Sequence, residues 1–118
     1  MIHSPMTEYL HDIQEKLEPL EYPIYFRLPN DSVQEPFIVV GNHADDDYLS
    51  AKSDLVIETN LQIDIFLPDS SSTDLEDILY TAKTLLGRRQ NITSQVLVDN
   101  SIGRQVFHIV ITIKDLII

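Results

Sequence analysis

The chain of 118 residues carries 19 acidic and 8 basic side chains, for a formal net charge of −11, and it contains no cysteine. The length predicts one domain, 1–118, that can bury a core, and the missing cysteines exclude disulfides, thiolate zinc sites and cysteine nucleophiles. The charge disfavours broad contact with nucleic acid, and without a long apolar run or a leader-like start we expect a soluble protein made in a cytoplasm.

The first half of the chain predicts one helix, two strands and a loop. Ser4 is a good N-cap, and the apolar residues after it recur at helical spacing, which predicts a helix over about 5–18. β-Branched and aromatic residues predict a first strand over 23–28. A run that is apolar on both faces predicts a second strand over 36–44, with something packed on each side. The acidic stretch 45–52 is interpreted as a polar loop.

The second half predicts a long strand, a helix and a closing hairpin. Alternation of apolar and polar residues indicates a strand over 54–67 with one core face and one wet face. A serine-rich turn followed by acidic residues predicts a second helix over about 73–86. Strands are predicted over 92–98 and 104–115, joined by a loop at 99–103. The order α-β-β-β-α-β-β favours an α+β fold, an antiparallel-rich sheet of about five strands with two helices packed on one face.

Residue types that usually carry catalysis form no known motif in this sequence. There is no G-x-S-x-G elbow and no glycine-rich phosphate loop, since the 3 glycines are all isolated. The 4 histidines lack metal-binding spacing. His108, in the middle of the last strand, is interpreted as an ordinary half-exposed sheet residue. We therefore expect no enzyme, no catalytic residue and no cofactor.

Two groups of carboxylates raise the question of a metal site. The run Asp45-Asp46-Asp47, with His43 before it, lacks the alternating positions and distal glutamate of a calcium loop. A solvated acidic loop is favoured there over a weak cation site shared between subunits. Asp54, Glu58 and Asp64 share one face of the long strand and could gather magnesium for a nuclease, but the wet face of an amphipathic strand explains them fully. We expect no metal.

Charge is unevenly distributed along the chain. Residues 1–80 hold 17 acidic and 3 basic side chains, a net charge of −14, whereas residues 81–118 hold 2 and 5, a net charge of +3. Such asymmetry can let one face attract the opposite face of another subunit, although chance placement of solvated charges gives the same count. Arg88-Arg89 could grip a phosphate or a partner's carboxylates, or they could simply complement the C-terminal end of the second helix.

Several hydrophobic segments follow one another in a characteristic order. The N-terminal helix is followed by Tyr22-Pro23-Ile24-Tyr25, by Glu35-Pro36-Phe37-Ile38-Val39-Val40-Gly41, by an acidic loop running into Ser50-Ala51-Lys52, and by Leu61-Gln62-Ile63-Asp64-Ile65-Phe66. A second helix and a closing hairpin complete the arrangement. Over nearly the whole chain it resembles the tail-completion and tail-terminator (head–tail joining) proteins of siphophages that infect Gram-positive hosts, with their Pro-aromatic-Ile/Val-Val and L-Q-V-D-hydrophobic strands.

The resemblance implies a structural virion protein without catalytic residues. Such proteins form a ring, commonly hexameric, that caps the finished tail tube and presents a face to the head connector. The implied partners are copies of the chain itself, the tail-tube protein and head-connector proteins; DNA passes through the lumen without specific binding, and no membrane is involved. The implied location is the virion, after assembly in the host cytoplasm. We expect the subunit or partner interface at Asp45, Asp46, Asp47, Tyr48, Arg88 and Arg89.

A second class of function fits the same residues. A non-enzymatic cytoplasmic adaptor or regulatory domain, which binds one acceptor protein as a monomer or dimer, would have the same fold class and the same lack of chemistry. Stoichiometry separates the two, because only the first forms a ring. A magnesium-dependent nuclease is the remaining alternative, and it would cleave DNA.

Overall fold

The computed structural model describes residues 3–49, 55–69, 74–87, 91–100 and 103–117. It confirms the α+β fold, with a five-stranded, mostly antiparallel sheet and the element order α-β-β-β-α-β-β. The helices are α1 (Pro5–Leu17), followed by a short 3-10 helix (Glu18–Leu20), and α2 (Leu75–Leu86). The strands are β1 (Ile24–Tyr25), β2 (Phe37–Leu49), β3 (Leu55–Pro68), β4 (Ile92–Asp99) and β5 (Val106–Ile117).

The central strand of the sheet is β3. The strand order is β1-β2-β3-β5-β4, in which β1 pairs parallel to β2 and all other neighbours are antiparallel. β2 and β3 form a long hairpin whose ladder is regular except for a register shift beside Gly41. β5 pairs with the other side of β3 along nearly its whole length. The outer strand at one edge of the sheet is therefore β4. At the other edge β2 is the last long strand, because β1 outside it has only two residues.

α1 begins and ends where the sequence predicts. The side-chain oxygen of Ser4 accepts a hydrogen bond from the backbone N–H of Thr7 at 3.1 Å, which satisfies a donor that the first helical turn leaves free. The helix ends at Leu17, and Pro19 lies in the 3-10 turn that follows. Ile13 and Leu17 are buried against the sheet, while the acidic and basic residues of the helix face solvent.

Both helices pack on the same face of the sheet, as the sequence predicts. The alternating residues of β3 and β5 point to this face, where a single apolar cluster is buried between helices and strands. Its members are Ile13, Leu17, Ile38, Val40, Leu61, Ile63, Ile65, Leu67, Leu75, Ala82, Leu86, Ile109, Ile111 and Ile113. Burial on this scale, at roughly 25 cal/mol per Å² of apolar surface, is the main stabilising contribution to the fold.

A smaller apolar cluster lies on the helix-free face, at the end of the sheet near β1. Phe37, Val39, Phe66 and Val106 are buried there under Tyr25 and Val33. β2 is thus packed on both sides, which confirms the expectation from its doubly apolar sequence. The segment that covers this cluster is held by Arg104, which donates to both carboxylate oxygens of Glu35 and to the backbone carbonyls of Asp31 and Val33.

Two predicted boundaries are wrong. The first strand is limited to β1, because the backbone of Phe26 crosses so close to Gly41 that a Cβ there would collide with the carbonyl oxygen of Phe26, and the chain then leaves the sheet. The predicted loop over 45–52 is strand as far as Leu49, because β2 continues its ladder with β3 up to the pair Leu49↔Leu55. The remaining predicted elements begin and end within two residues of those observed.

Candidate functional site

Four of the six predicted interface residues lie along the far end of β2. Asp45, Asp46 and Asp47 are exposed strand residues, paired with β3 on one side. The backbone of Tyr48 continues the same strand. Arg88-Arg89 fall outside the described residues. The structure therefore places the three aspartates on one strand, and the interface role of all six residues stays a prediction.

Asp45 is the one aspartate of the three that is held in place. Its Oδ1 accepts a hydrogen bond from Oγ1 of the fully buried Thr59 at 2.6 Å, and its carboxylate lies 2.8 Å from Nδ1 of His43. Partial burial would raise the pKa of Asp45, but the Thr59 hydrogen bond and the contact with His43 outweigh it, so the pKa is lowered. Asp45 is thus a structural carboxylate, whereas Asp46 and Asp47 point into solvent.

The sheet has an open edge on each side, and the two edges differ in chemistry. β1 covers β2 only at Ile38 and Val39, so residues 42–49 have no strand outside them in the described part of the chain. Three aspartates line this edge. β4 likewise has no outer neighbour among the described residues, yet Ile92–Val98 contains no charged residue. Val96, Leu97 and Val98 are 37%, 38% and 56% exposed.

A buried polar cluster that the sequence did not reveal lies on the helix-free face. The ring of His108 on β5 bridges two carboxylates: its Nε2 lies 2.6 Å from Oδ1 of Asp64 on β3, and its Nδ1 lies 3.0 Å from Oδ2 of Asp99 on β4. Gln62 also donates to Oδ1 of Asp64, at 2.9 Å. The His108 side chain is 14% exposed and stacks on Phe66. The expected half-exposed sheet residue is therefore the centre of a hydrogen-bonded network across three strands.

The two carboxylates favour the protonated form of this ring. Burial lowers the pKa of His108, but the hydrogen bonds and negative charges of Asp64, and then of Asp99, outweigh burial and raise it. Both ring nitrogens can satisfy a carboxylate only when both carry protons. The geometry and the raised pKa of His108 therefore favour an imidazolium between the two carboxyl groups.

The triad of Asp64, Asp99 and His108 lines a cavity of about 300 Å³. The segment after β1 forms one wall, with Phe26, Arg27 and Leu28, and the sheet forms the other. The residues that line the cavity are Phe26, Arg27, Leu28, Val39, Asn42, Gln62, Asp64, Phe66, Asp99 and His108. Within this lining, the hydrogen bonds of His108 join β3, β4 and β5.

Of the three carboxylates considered for a nuclease, the two that the structure describes, Glu58 and Asp64, do not converge. Glu58 lies 3.7 Å from Lys114 on β5, whereas Asp64 contacts His108 and lies six positions further along the same strand, about 20 Å away at the rise of an extended chain. Asp54 is outside the described residues. Within the described ranges no group of three histidine or acidic side chains is arranged so that it could hold a metal ion; in the triad, the two carboxylates contact opposite nitrogens of the His108 ring.

Neither helix that the structure describes is long and apolar enough to cross a membrane. The comparisons with known proteins give no family assignment: no family model matches the chain, and no curated protein matches it either.

Proposed function

We propose that this chain is a structural virion protein, whose copies assemble into a ring of about six subunits that completes a phage tail tube and contributes to head–tail joining. The observation that carries the proposal is the difference between the two open sheet edges. One edge is acidic, and the other is uncharged and exposes Val96, Leu97 and Val98. A subunit with two different edges can associate head to tail, and head-to-tail contacts form a ring when the rotation between neighbouring subunits closes.

The position of the resembling segments supports the same proposal. The segment from Glu35 to Gly41 begins β2, and the segment from Leu61 to Phe66 is the middle of β3. Both segments lie in the middle of the sheet, and their inward-facing side chains pack against the two helices. The two segments thus lie next to each other in β2 and β3, as neighbouring strands of one sheet.

The surface charge supports passage of DNA through the proposed lumen. A net charge of −11 repels the phosphate backbone, so DNA can move past such a surface without being held by it. The helix-free face is the one we place toward the lumen, because the helices on the other face are then free to form the outer wall. In this arrangement the ring has no catalytic duty.

Solution mass tests the proposal. Light scattering over a concentration series, with negative-stain images, is expected to show ring particles of about six times the chain's 13.5 kDa, either free or on tail tubes of siphophages from Gram-positive hosts. Pelleting with such tubes measures the second case. A protein that is only monomeric or dimeric and does not bind tubes would overturn the ring and support the adaptor or regulatory domain.

A further inference from the structure

We infer that the cavity on the helix-free face is a binding site for an alkylammonium group, that is, a protonated primary amine on a short aliphatic stem. Small free amines carry such a group, and so does the side chain of lysine. The site is independent of the proposed ring. Three features of the cavity point to this ligand: a carboxylate oxygen that opens into it, the charge at its inner end, and its fixed apolar walls.

Asp64 presents a carboxylate oxygen without a partner to this cavity. The residue is only 6% exposed, and its Oδ1 accepts hydrogen bonds from both His108 and Gln62. Its Oδ2 accepts none from the described residues. Because no fully buried side-chain oxygen or nitrogen of the described residues lacks a partner, Oδ2 must reach open space, and the cavity is the space that Asp64 lines. A hydrogen-bond donor in the cavity would satisfy this oxygen.

The inner end of the cavity carries a negative charge. The side chains of Asp64 and Asp99 are 8% and 19% exposed, and their two carboxylates share the single imidazolium of His108, so one negative charge is left uncompensated. Arg27 also lines the cavity, but it is exposed, and water screens its charge more than it screens the buried charges. The other lining residues are neutral. A cation therefore gains most at this end, and an ammonium group also supplies the donor for Oδ2 of Asp64.

The walls of the cavity suit an aliphatic stem. The apolar residues among them are Phe26, Leu28, Val39 and Phe66. The wall formed by the segment after β1 is fixed where the backbone of Phe26 passes Gly41, and again where Arg104 donates to two backbone carbonyls of the same segment. A wall that is already held in place costs little ordering when a ligand binds. The volume of about 300 Å³ is at the small end for ligand sites, which favours a short-chain amine.

Titration with n-butylammonium chloride, followed by the NMR signals of the His108 ring, tests the site. At about 0.15 M salt, where exposed charges are screened, wild type is expected to bind this ion saturably with a Kd of roughly 1–10 mM. The alcohol n-butanol has the same stem without the charge, and it should bind at least about tenfold more weakly. Each methylene removed from the amine should weaken binding about fourfold. Butyrate, an anion of similar size, should not bind.

Three variants separate the cavity from the acidic surface. Asp64→Asn removes the buried negative charge and should weaken binding at least about tenfold. Arg27→Glu exchanges a positive charge on the wall for a negative one, and it should tighten binding by about two- to fivefold. Asp46→Asn, on the exposed part of β2, is the matched control and should leave the Kd unchanged. Arg27→Glu keeps the triad intact, so it decides the matter if thermal melting shows that Asp64→Asn is unfolded.

The pH gives a further signature of binding beside His108. Affinity for n-butylammonium should rise as the pH passes upward through the folded pKa of His108, because the neutral ring leaves both carboxylates, those of Asp64 and Asp99, uncompensated. Arg27 stays charged over this range and does not alter the direction of the change. The same titration at several pH values measures it.

Several outcomes would overturn the assignment. They are the absence of a saturable change in the His108 signals, equal binding of n-butylammonium and n-butanol, tighter binding of butyrate, and a loss of affinity in Arg27→Glu. Equal weakening by Asp46→Asn and Asp64→Asn would overturn it too, because it is the result of nonspecific attraction to a chain of net charge −11. Nα-acetyl-lysine methylamide distinguishes the two sources: it should bind like n-butylammonium if a lysine of another protein is the ligand, and more weakly if free amines are.

Discussion

Oδ1 of Asp64 accepts hydrogen bonds from Nε2 of His108 at 2.6 Å and from Nε2 of Gln62 at 2.9 Å, so the carboxylate of the central strand is neutralised from its neighbour β5. The other ring nitrogen of His108, Nδ1, lies 3.0 Å from Oδ2 of Asp99, so the same imidazolium also contacts a carboxylate of β4. Arg27 is the other charged residue that lines the cavity above. Three strands on the helix-free face are thus joined by a contact that depends on one proton.

Replacing His108 should make stability depend less on pH. The folded-state pKa of His108 lies above its ordinary 6.5, so its contribution is complete below about pH 6.5 and is lost as the pH rises through the folded pKa. We expect His108→Gln to lower the free energy of unfolding by about 1–3 kcal/mol near pH 6, and by less at alkaline pH. Urea unfolding over a pH series measures both.

The exposed His11 provides the control for that series. His11→Gln should change the free energy of unfolding by no more than about 0.5 kcal/mol at any pH. If the difference in the free energy of unfolding between His108→Gln and wild type stayed constant over the pH series, protonation of His108 would not contribute to stability.

The three neighbouring aspartates of β2 should differ in their effect on stability. Asp45→Ala leaves the hydroxyl of the buried Thr59 without an acceptor, which should cost about 1–2 kcal/mol. Asp46→Ala and Asp47→Ala are matched controls on the same strand, and each should change stability by less than about 0.5 kcal/mol. Thermal melts of the three variants at one pH make the comparison, and equal effects would contradict it.

The contribution of Asp45 to stability should change with pH in the opposite direction to that of His108. The pKa of Asp45 is lowered in the folded state, so its contribution is present above the ordinary value of 3.8 and is lost as the pH falls through the folded pKa. The difference in the free energy of unfolding between Asp45→Asn and wild type should therefore become smaller as the pH falls. Acid titration followed by circular dichroism measures it.

Gly41→Ala should destabilise the protein through a steric collision. The added Cβ would overlap the backbone carbonyl of Phe26, and backbone on both sides must move to accommodate it. We expect a loss of about 1–3 kcal/mol, as for other overpacked sites. Gly103→Ala is the control: it has open space but a φ of 84°, so only backbone strain of about 1 kcal/mol is expected. Denaturant midpoints that rank the two in the opposite order would contradict the account.

Arg104 should control the order of the segment that covers the helix-free cluster. Its guanidinium contacts Glu35 and two backbone carbonyls at once, a geometry that a single ammonium group does not reproduce. We expect Arg104→Lys to increase amide hydrogen exchange around Val33 and to lower Tm, with β3 unaffected. The control is Lys114→Met, since the exposed pair of Lys114 and Glu58 contributes little.

Local patterns predicted most of the fold. The spacing of apolar residues in α1 and the alternation in β3 are read within one element, and both were correct to within two residues. A run of aspartates is typical of a loop, so the sequence does not predict that residues 45–49 form a strand. They form one because their backbone pairs with β3. Sequence composition contains no direct information about such pairing.

The buried triad was missed for the same reason. The alternation of apolar and polar residues places Asp64 and His108 on the polar face of their strands. Asp99, in contrast, is predicted to lie in the loop at 99–103, whereas the structure places it in β4. The contacts between them depend on the register Phe66↔His108 and Leu97↔His108, which joins residues from three strands. A polar residue at the middle of a long strand was the one signal available, and it did not identify the partners.

The strand order has a consequence for the folding of the newly made chain. β2 and β3 are adjacent in sequence and can pair as soon as both have left the ribosome, but β5, the other neighbour of β3, begins at Val106. Until β5 arrives, the side of β3 away from β2 has no neighbouring strand and is an unprotected edge. Synthesis of residues 69–105 is therefore the interval in which the chain is most exposed to misassociation.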